Sequence, residues 1–297
     1  MVNSNNELKL PYKLRVHTFS LTNKDALFDL SITIPTKDVN SETFKRAFRS
    51  IESTSNELLC NIYIQAVESS GTEFNFARSV NTGFAERSAD YFLNMNDDVE
   101  LYPGTLKTSL ERSKSLNDKV LLGALLYFPS GSIQHAGMQA IMSNTFRYYS
   151  YHILKYKAPL DAMRKKAFFR EHGYKRFVFF IHPDRIIPDM KGVVTGAYHF
   201  MSAQTLNLLK CYDESYSNGS EDADLCLSAI QGNVKVAIDA SIQGTHYEGR
   251  SFSTGYNESR REGLLHLNEK WGMQRILSLI EANGPIWLNN VKAAHKN

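Results

Sequence analysis

The feature that most constrains this chain is a rhythm running from Leu27 to Asp98. LFDLSITIP (27–35) is mostly apolar with partial alternation and is stopped by a proline, which reads as a central strand. SETFKRAFRSI follows, with a helix-start serine at Ser41 and apolar Phe44, Ala47, Phe48 and Ile51 at helical spacing. LLCNIYIQAV (58–67) is a second strand, ended by the turn-like ESSG of 68–71. FNFARSVNTGFAERSAD then predicts a helix of about two to three turns, and Tyr91-Phe92-Leu93 starts a third strand. Strand, helix, strand, helix, strand is how a parallel sheet with crossover helices is written in sequence.

The rest of the chain extends that pattern. Gly123 and Gly131, within VLLGALLYFPSGSIQHAG, suggest two short strands in a hairpin. VVTGAYHFMSAQTLNLL reads as a strand entering a helix, and SEDADLCLSAIQGN as a second helix ended by Gly232-Asn233. KVAIDASIQGTHYEGRS is a strand and loop, and the C-terminal residues read as helical. The expected fold is α/β: one Rossmann-like domain over 25–255, a mixed, mostly parallel sheet flanked by helices, with a helical extension over 256–297. No internal repeat is visible.

Composition narrows the partners. The formal net charge of +3 on 297 residues is too small to argue for nucleic acid. Three cysteines, Cys60, Cys211 and Cys226, are odd in number and lack metal-ligand spacing, which suits a reducing compartment. The N-terminus has no apolar signal core, and no apolar run approaches the roughly 20 residues of a membrane span. A cytoplasmic protein is expected, or one that touches a membrane from the side. From Arg147 to Arg185, ten Lys and Arg face three acids, a net +7 interleaved with aromatics. This insert, about 141–190, reads either as a solvated helical flap or as an acceptor platform. In the second case its rings stack on sugars and its cations attract phosphate or an anionic membrane.

Ligands of open α/β sheets bind at the carboxyl ends of the strands. LNMNDDVE plants Asp97 and Asp98 at such an end, where adjacent like charges repel. A hard cation such as Mg²⁺ or Mn²⁺ would relieve them; alternatively they cap a turn or the helix near PGTLKTSLERS. A second cluster is Ser220-Glu221-Asp222-Ala223-Asp224. Ala223, Cys226, Leu227 and Ile230 mark a buried helical face. At about 100° per residue, Asp222 and Asp224 flank it and Glu221 points mostly away. Either flanking carboxylate could serve as a general base, although acids are favoured in any first helical turn. The third feature is His246, in GTHY after a strand, either a structural histidine or a ligand to a metal already held by acids.

Together, from about Leu27 to Gly272, these blocks resemble family 2 glycosyltransferases with the GT-A fold. The resemblance rests on SITIPTKD, FARSVNTGFAERSADYFLNMNDDVELYPG, GSIQHAG, VTGAYHFMS, YDESYSNGSEDADLCLSA, THYEGRS and NEKWG, in that order. It implies that Asp98 binds the metal (Mn²⁺ or Mg²⁺) bridging the phosphates of a UDP-, GDP- or dTDP-sugar, and that His246 completes the metal shell. It implies that Asp97 contacts the ribose or supports the site, with Asn96 where the family often has aspartate. Pro35, Thr36 and Glu68 would hold the base, Glu68 standing where aspartate is usual, and Arg78 would reach the nucleotide. Thr195, Gly196 and Ala197 would line the sugar and acceptor pocket. Asp222 would be the base of an inverting displacement onto a hydroxyl of a glycan or lipid-linked acceptor. His135, in the GSIQHAG block, is expected to be a packed, hydrogen-bonded residue.

Two other readings compete. A nucleotidyltransferase would show a glycine-rich, basic loop after the first strand, whereas PTKDVNSETF has no glycine. An inactive glycan-binding relative would lose the acids, whereas Asp98, Asp222 and His246 are all present.

Overall fold

The alternation at the start of the chain becomes the frame of the molecule. The structure, a computed structural model, describes residues 13–56, 58–70, 74–144, 175–181, 186–216, 218–247 and 256–288. β2 (Phe28–Thr36), α1 (Glu42–Ser55), β3 (Cys60–Ser70), α2 (Phe76–Ala85) and β4 (Tyr91–Met95) form the predicted βαβαβ unit. β3 and β4 both pair parallel with β2, in registers that set Thr36 beside Glu68 and Thr33 beside Asn94. The helix starts are specified locally. The Ser41 hydroxyl accepts from the Phe44 N–H at 3.1 Å, and the Asn75 side-chain Oδ1 from the Arg78 N–H at 2.8 Å.

β1 (Lys13–Leu21), which the sequence rhythm does not include, runs antiparallel along the outer edge of β3. After β4 come β5 (Val99–Leu101), α3 (Thr105–Ser115), β6 (Val120–Tyr127) and β7 (Ile133–His135). The last two form the expected hairpin, with Gly131 at φ 84° in its turn. β8 (Met138–Asn144), β9 (Lys175–Ile181) and β10 (Gly192–Val193) make a separate three-stranded sheet. β11 (Tyr198–Ser202), α4 (Ala203–Leu209), α5 (Glu221–Gln231) and β12 (Lys235–His246) return to the main sheet. α6 (Tyr256–Trp271) and α7 (Met273–Asn283) follow.

Among the described residues the main sheet runs β1-β3-β2-β4-β11-β6-β12-β5, with β7 beside β6. Its long strands β3, β2, β4, β6 and β12 share one direction, and β1, β11, β7 and β5 oppose it. Both faces are covered, which explains the near-continuous burial of the central strands. α1 and α3 pack on one face through Phe44, Ala47, Ile51, Leu106 and Leu110. α2, α4 and α5 cover the other, joined there by Leu267 and Trp271 of α6 and Ile276 and Ile280 of α7. The C-terminal helices therefore belong to the same packed body as the sheet. α2 lies close to β2 because Gly83 faces Thr33, where a Cβ would sit 2.4 Å from the threonine methyl. No helix among the described residues is long and apolar enough to cross a membrane. Of the basic insert only its flanks, including β8 and β9, are described, so the platform reading of residues 145–174 and 182–185 lies outside the described residues.

Candidate active site

The two aspartates that follow β4 take different partners. The turn is fixed by the Asn96 N–H, which donates to the Ala197 carbonyl at 3.1 Å, and by the Val99 N–H, which donates back to the Asn96 carbonyl at 3.2 Å. Asp97 reaches toward β2, where its Oδ2 accepts from the Thr36 hydroxyl at 2.6 Å. Burial pushes the Asp97 carboxyl up to about 6 and the Asp98 charge adds to this, against the Thr36 hydrogen bond and the Lys37 charge. Asp98 is 9% exposed and points the other way, with Oδ1 3.0 Å from His246 Nε2. Neither aspartate caps the next helix: α3 starts at Gly104, in the left-handed region at φ 80°, without a side-chain cap.

Strand pairing brings His246 to Asp98. The end of β12 runs antiparallel to β5, with His246 opposite Val99 and Gly244 opposite Leu101. Gly244 is needed there, because a Cβ would come within 2.7 Å of the Glu100 carbonyl oxygen. Gln134 of β7 then fixes the imidazole. Its Nε2 donates to the His246 carbonyl at 3.2 Å, which leaves Oε1 facing His246 Nδ1 at 2.8 Å. An amide oxygen can only accept, so Nδ1 carries the hydrogen. Nε2 of a neutral ring would then present its lone pair to the Asp98 carboxylate. Such a pair needs a cation between its atoms, either a proton or a metal. The carboxylate oxygen suits Mn²⁺ or Mg²⁺, and the imidazole nitrogen, a ligand of first-row transition ions, tilts the pair toward Mn²⁺. No group of three or more His, Cys, Asp or Glu forms a metal cluster among the described residues.

Asp222 approaches from the other side of the Thr195–Ala197 segment. It sits in the first turn of α5, where Oδ2 accepts from the Gly196 N–H at 3.1 Å and Oδ1 from the Ala223 N–H at 2.8 Å. The Gly196 carbonyl in turn accepts from Asn94 Nδ2 at 2.6 Å. Gly196 and Ala197 thus tie the end of β4 to Asp222. A Cβ on Gly196 would lie 3.2 Å from that of Asp222 and 3.4 Å from the Phe76 ring. Asp224, the other carboxylate flanking the buried helix face, is 3% exposed and saturated. It accepts from the Tyr216 hydroxyl at 2.9 Å, Trp271 Nε1 at 2.6 Å and Lys270 Nζ at 2.9 Å. It is a structural hub, which leaves Asp222 as the half-buried acid beside Gly196.

The remaining candidates are less concentrated. Pro35 and Thr36 are buried at the end of β2, and Thr36 touches Asp97 directly. Glu68 lies on the Thr36 register but its carboxylate is 3.4 Å from His17 Nε2 on β1. Arg78 Nε is 3.0 Å from Glu214 Oε2, next to the segment that leads into α5. His135 is packed as expected: Nδ1 accepts from the Gly137 N–H at 3.2 Å, and burial, with His246 and His199 nearby, pushes it down to about 3. Its neighbour Gln134 is the residue that contacts His246. Gln134 and Asn94 are contacts of the candidate site that the sequence reading missed, and the only signal was an amide placed inside a predicted strand. Tyr247 adds a third contact: its hydroxyl donates to Glu100 Oε2 at 2.8 Å and the Arg46 guanidinium lies 4.1 Å from its ring centre.

Comparison with known proteins separates fold from sequence. No family model and no curated protein sequence matches the chain. A mannosyltransferase from Pyrobaculum calidifontis, PcManGT, solved in complex with GDP-Man and Mn²⁺, is similar in structure, with a TM-score of 0.51. The likeness covers 86% of this chain and 68% of that one at 9% sequence identity. The chain thus has a Rossmann-like glycosyltransferase fold, as the sequence blocks led us to expect.

Proposed function

We propose that this protein is a metal-dependent inverting glycosyltransferase of the family 2 type. It would move a sugar from a nucleoside-diphosphate sugar to a hydroxyl of a glycan or lipid-linked acceptor. The observation that carries the reading is the meeting of Asp98 and His246 at 3.0 Å, beside a glycine segment that leads to Asp222. The nucleotide-sugar and Mn²⁺ bound by the mannosyltransferase of similar fold support it.

In this reading Asp98 and His246 hold the cation, which would offset the negative charge developing on the departing diphosphate. Pro35, Thr36, Glu68, Asn96, Asp97 and Arg78 hold the nucleotide, and Gly196 and Ala197 let the sugar approach the backbone. Asp222 takes the proton of the acceptor hydroxyl as its oxygen bonds to the anomeric carbon. The bond from that carbon to the diphosphate oxygen breaks on the opposite face, which inverts the configuration. Backbone N–H groups of Gly196 and Ala223 orient the Asp222 carboxylate for this task.

The test is a panel of UDP-, GDP- and dTDP-sugars, screened by thermal shift with and without Mn²⁺. At least one donor should raise the melting temperature in a Mn²⁺-dependent manner. A flat response to every donor under both conditions would overturn the assignment.

A further inference from the structure

Asp222 does not hold its own position. The turn that delivers it, 218–220, has two non-glycine residues in the left-handed region, Asn218 at φ 69° and Ser220 at φ 72°. Such backbone persists only where its surroundings over-determine it. One clamp is α2: the Asn218 side chain accepts from the Phe76 N–H at 2.7 Å and donates to the Phe74 carbonyl at 2.6 Å. The other is α6. Gly263 packs so tightly on the turn that a Cβ there would fall 1.8 Å from the Gly219 carbonyl oxygen.

The contacts of α6 continue along the whole segment that leads into α5. His266 meets Ser215 Oγ at 3.0 Å and the edge of the Tyr216 ring at 4.7 Å between centres. Lys270 bridges Asp213 at 2.6 Å and Asp224 at 2.9 Å, and Trp271 donates to Asp224. Burial works against the charged form of Asp213, yet Lys270 and Ser215 hold its carboxyl down at about 2. Asp224 lies two residues from Asp222 in the same helical turn, so the hub and the base move as one body.

Resting on the glycosyltransferase reading, we infer that Asp224, Lys270, Trp271 and Gly263 are positioning residues. Through them the C-terminal helix α6 sets the aim of the Asp222 carboxylate. The consequence is a division of effects. Disturbing α6 should misplace the base while leaving the donor site at the ends of β2 and β4 intact.

The experiment follows release of nucleoside diphosphate from the nucleotide-sugar selected by the panel, using the full chain. Gly263→Ala wedges α6 off the turn, Lys270→Met removes the bridge, and Lys270→Arg keeps its charge. The first two should lower kcat by about tenfold or more, since a misplacement of about 1 Å can cost that much. Donor KM should stay within about twofold, and Lys270→Arg should recover most of the loss. Combined with Asp222→Asn, Gly263→Ala should cost nothing further, because residues acting as a unit are not additive. Lys270→Met changes no packing of α6 on the turn and serves if Gly263→Ala fails to fold. Unchanged kcat in the variants that fold, a KM rising in step with the loss, or losses that multiply with Asp222→Asn would overturn the inference alone. Failure of the wild-type chain to turn over any donor would overturn the function and the inference together.

Discussion

Asp97 bears two unfavourable interactions at once: burial, and a neighbouring carboxylate. Its folded value of about 6 lies above the 3.8 of an ordinary aspartate, so the folded state holds the proton more tightly. Its contribution to stability is therefore full below about pH 4 and is lost as pH rises through about 6. Asp97→Asn should stabilise the protein at pH 7 by up to about 3 kcal/mol, with the gain vanishing near pH 4. Urea unfolding across that range checks it, and a pH-independent effect would contradict it. Gln134 contacts His246 Nδ1 on the side away from Asp98, where the outer partner of a ligating histidine would stand in the proposed metal pair. Gln134→Leu removes the acceptor for His246 Nδ1 and should weaken Mn²⁺-dependent donor binding by about 10–100-fold, as read by titration calorimetry. At this scale charge drew attention to Asp97, Asp98 and Asp222 in the sequence, and the structure sets Asp98 against His246 and Asp222 against Gly196. Asn94 and Gln134 were not legible there, because an amide in a strand looks like ordinary polarity until its distant partner, Gly196 or His246, is known. Helical geometry alone did not separate Asp222 from Asp224; the family resemblance pointed to Asp222, and in the structure Trp271, Lys270 and Tyr216 occupy Asp224.

The strand–helix unit at the start of the chain was readable because each element carries its own signal, with Ser41 and Asn75 as caps and a proline ending the first apolar run. β1 escaped notice: KLRVHTFSL is half polar, and what makes it a strand is pairing with the outer edge of β3. The close approach of α2 to β2 was also hidden, since a helical glycine does not announce what it faces. Gly83→Ala should gain helix propensity of about 1 kcal/mol but drive its Cβ to 2.4 Å from the Thr33 methyl. Overpacking of this kind costs about 1–3 kcal/mol, so the net effect should be destabilising. Thr33 Oγ1 is buried with no hydrogen-bond partner among the described residues. Adding Thr33→Ala to Gly83→Ala should therefore restore stability in thermal or urea melts, and a double variant no better than Gly83→Ala would refute the clash.

At the scale of the whole molecule, one body holds both halves of the proposed site: β4, β12 and β7 bring Asp98, His246 and Gln134 together, and α5, packed against α6, carries Asp222. The same body buries histidines that must stay neutral. His199 is fully enclosed, with Nδ1 2.6 Å from the Tyr212 hydroxyl, and burial pushes it down to about 4. Its folded value lies below the unfolded 6.5, so its contribution is full above about pH 6.5 and is lost as pH falls toward 4. His199→Gln should flatten the acid side of the stability profile by up to about 1.4 kcal/mol per pH unit, measured by urea unfolding between pH 4 and 7. An unchanged slope would contradict the assignment of a buried neutral ring. The order of the sequence blocks led to this fold even though sequence comparison finds no match, because the fold depends on pattern and the site on a handful of side chains. The most direct test of the account is a comparison of wild type, Asp98→Ala and Asp222→Asn, measuring Mn²⁺-dependent nucleotide-sugar binding and turnover together. Asp98→Ala should lose the Mn²⁺-dependent part of binding, while Asp222→Asn should bind the donor near normally and keep only a residual turnover, down by about 100-fold or more. Donor binding that ignores Asp98, or turnover near the wild-type level in Asp222→Asn, would contradict it.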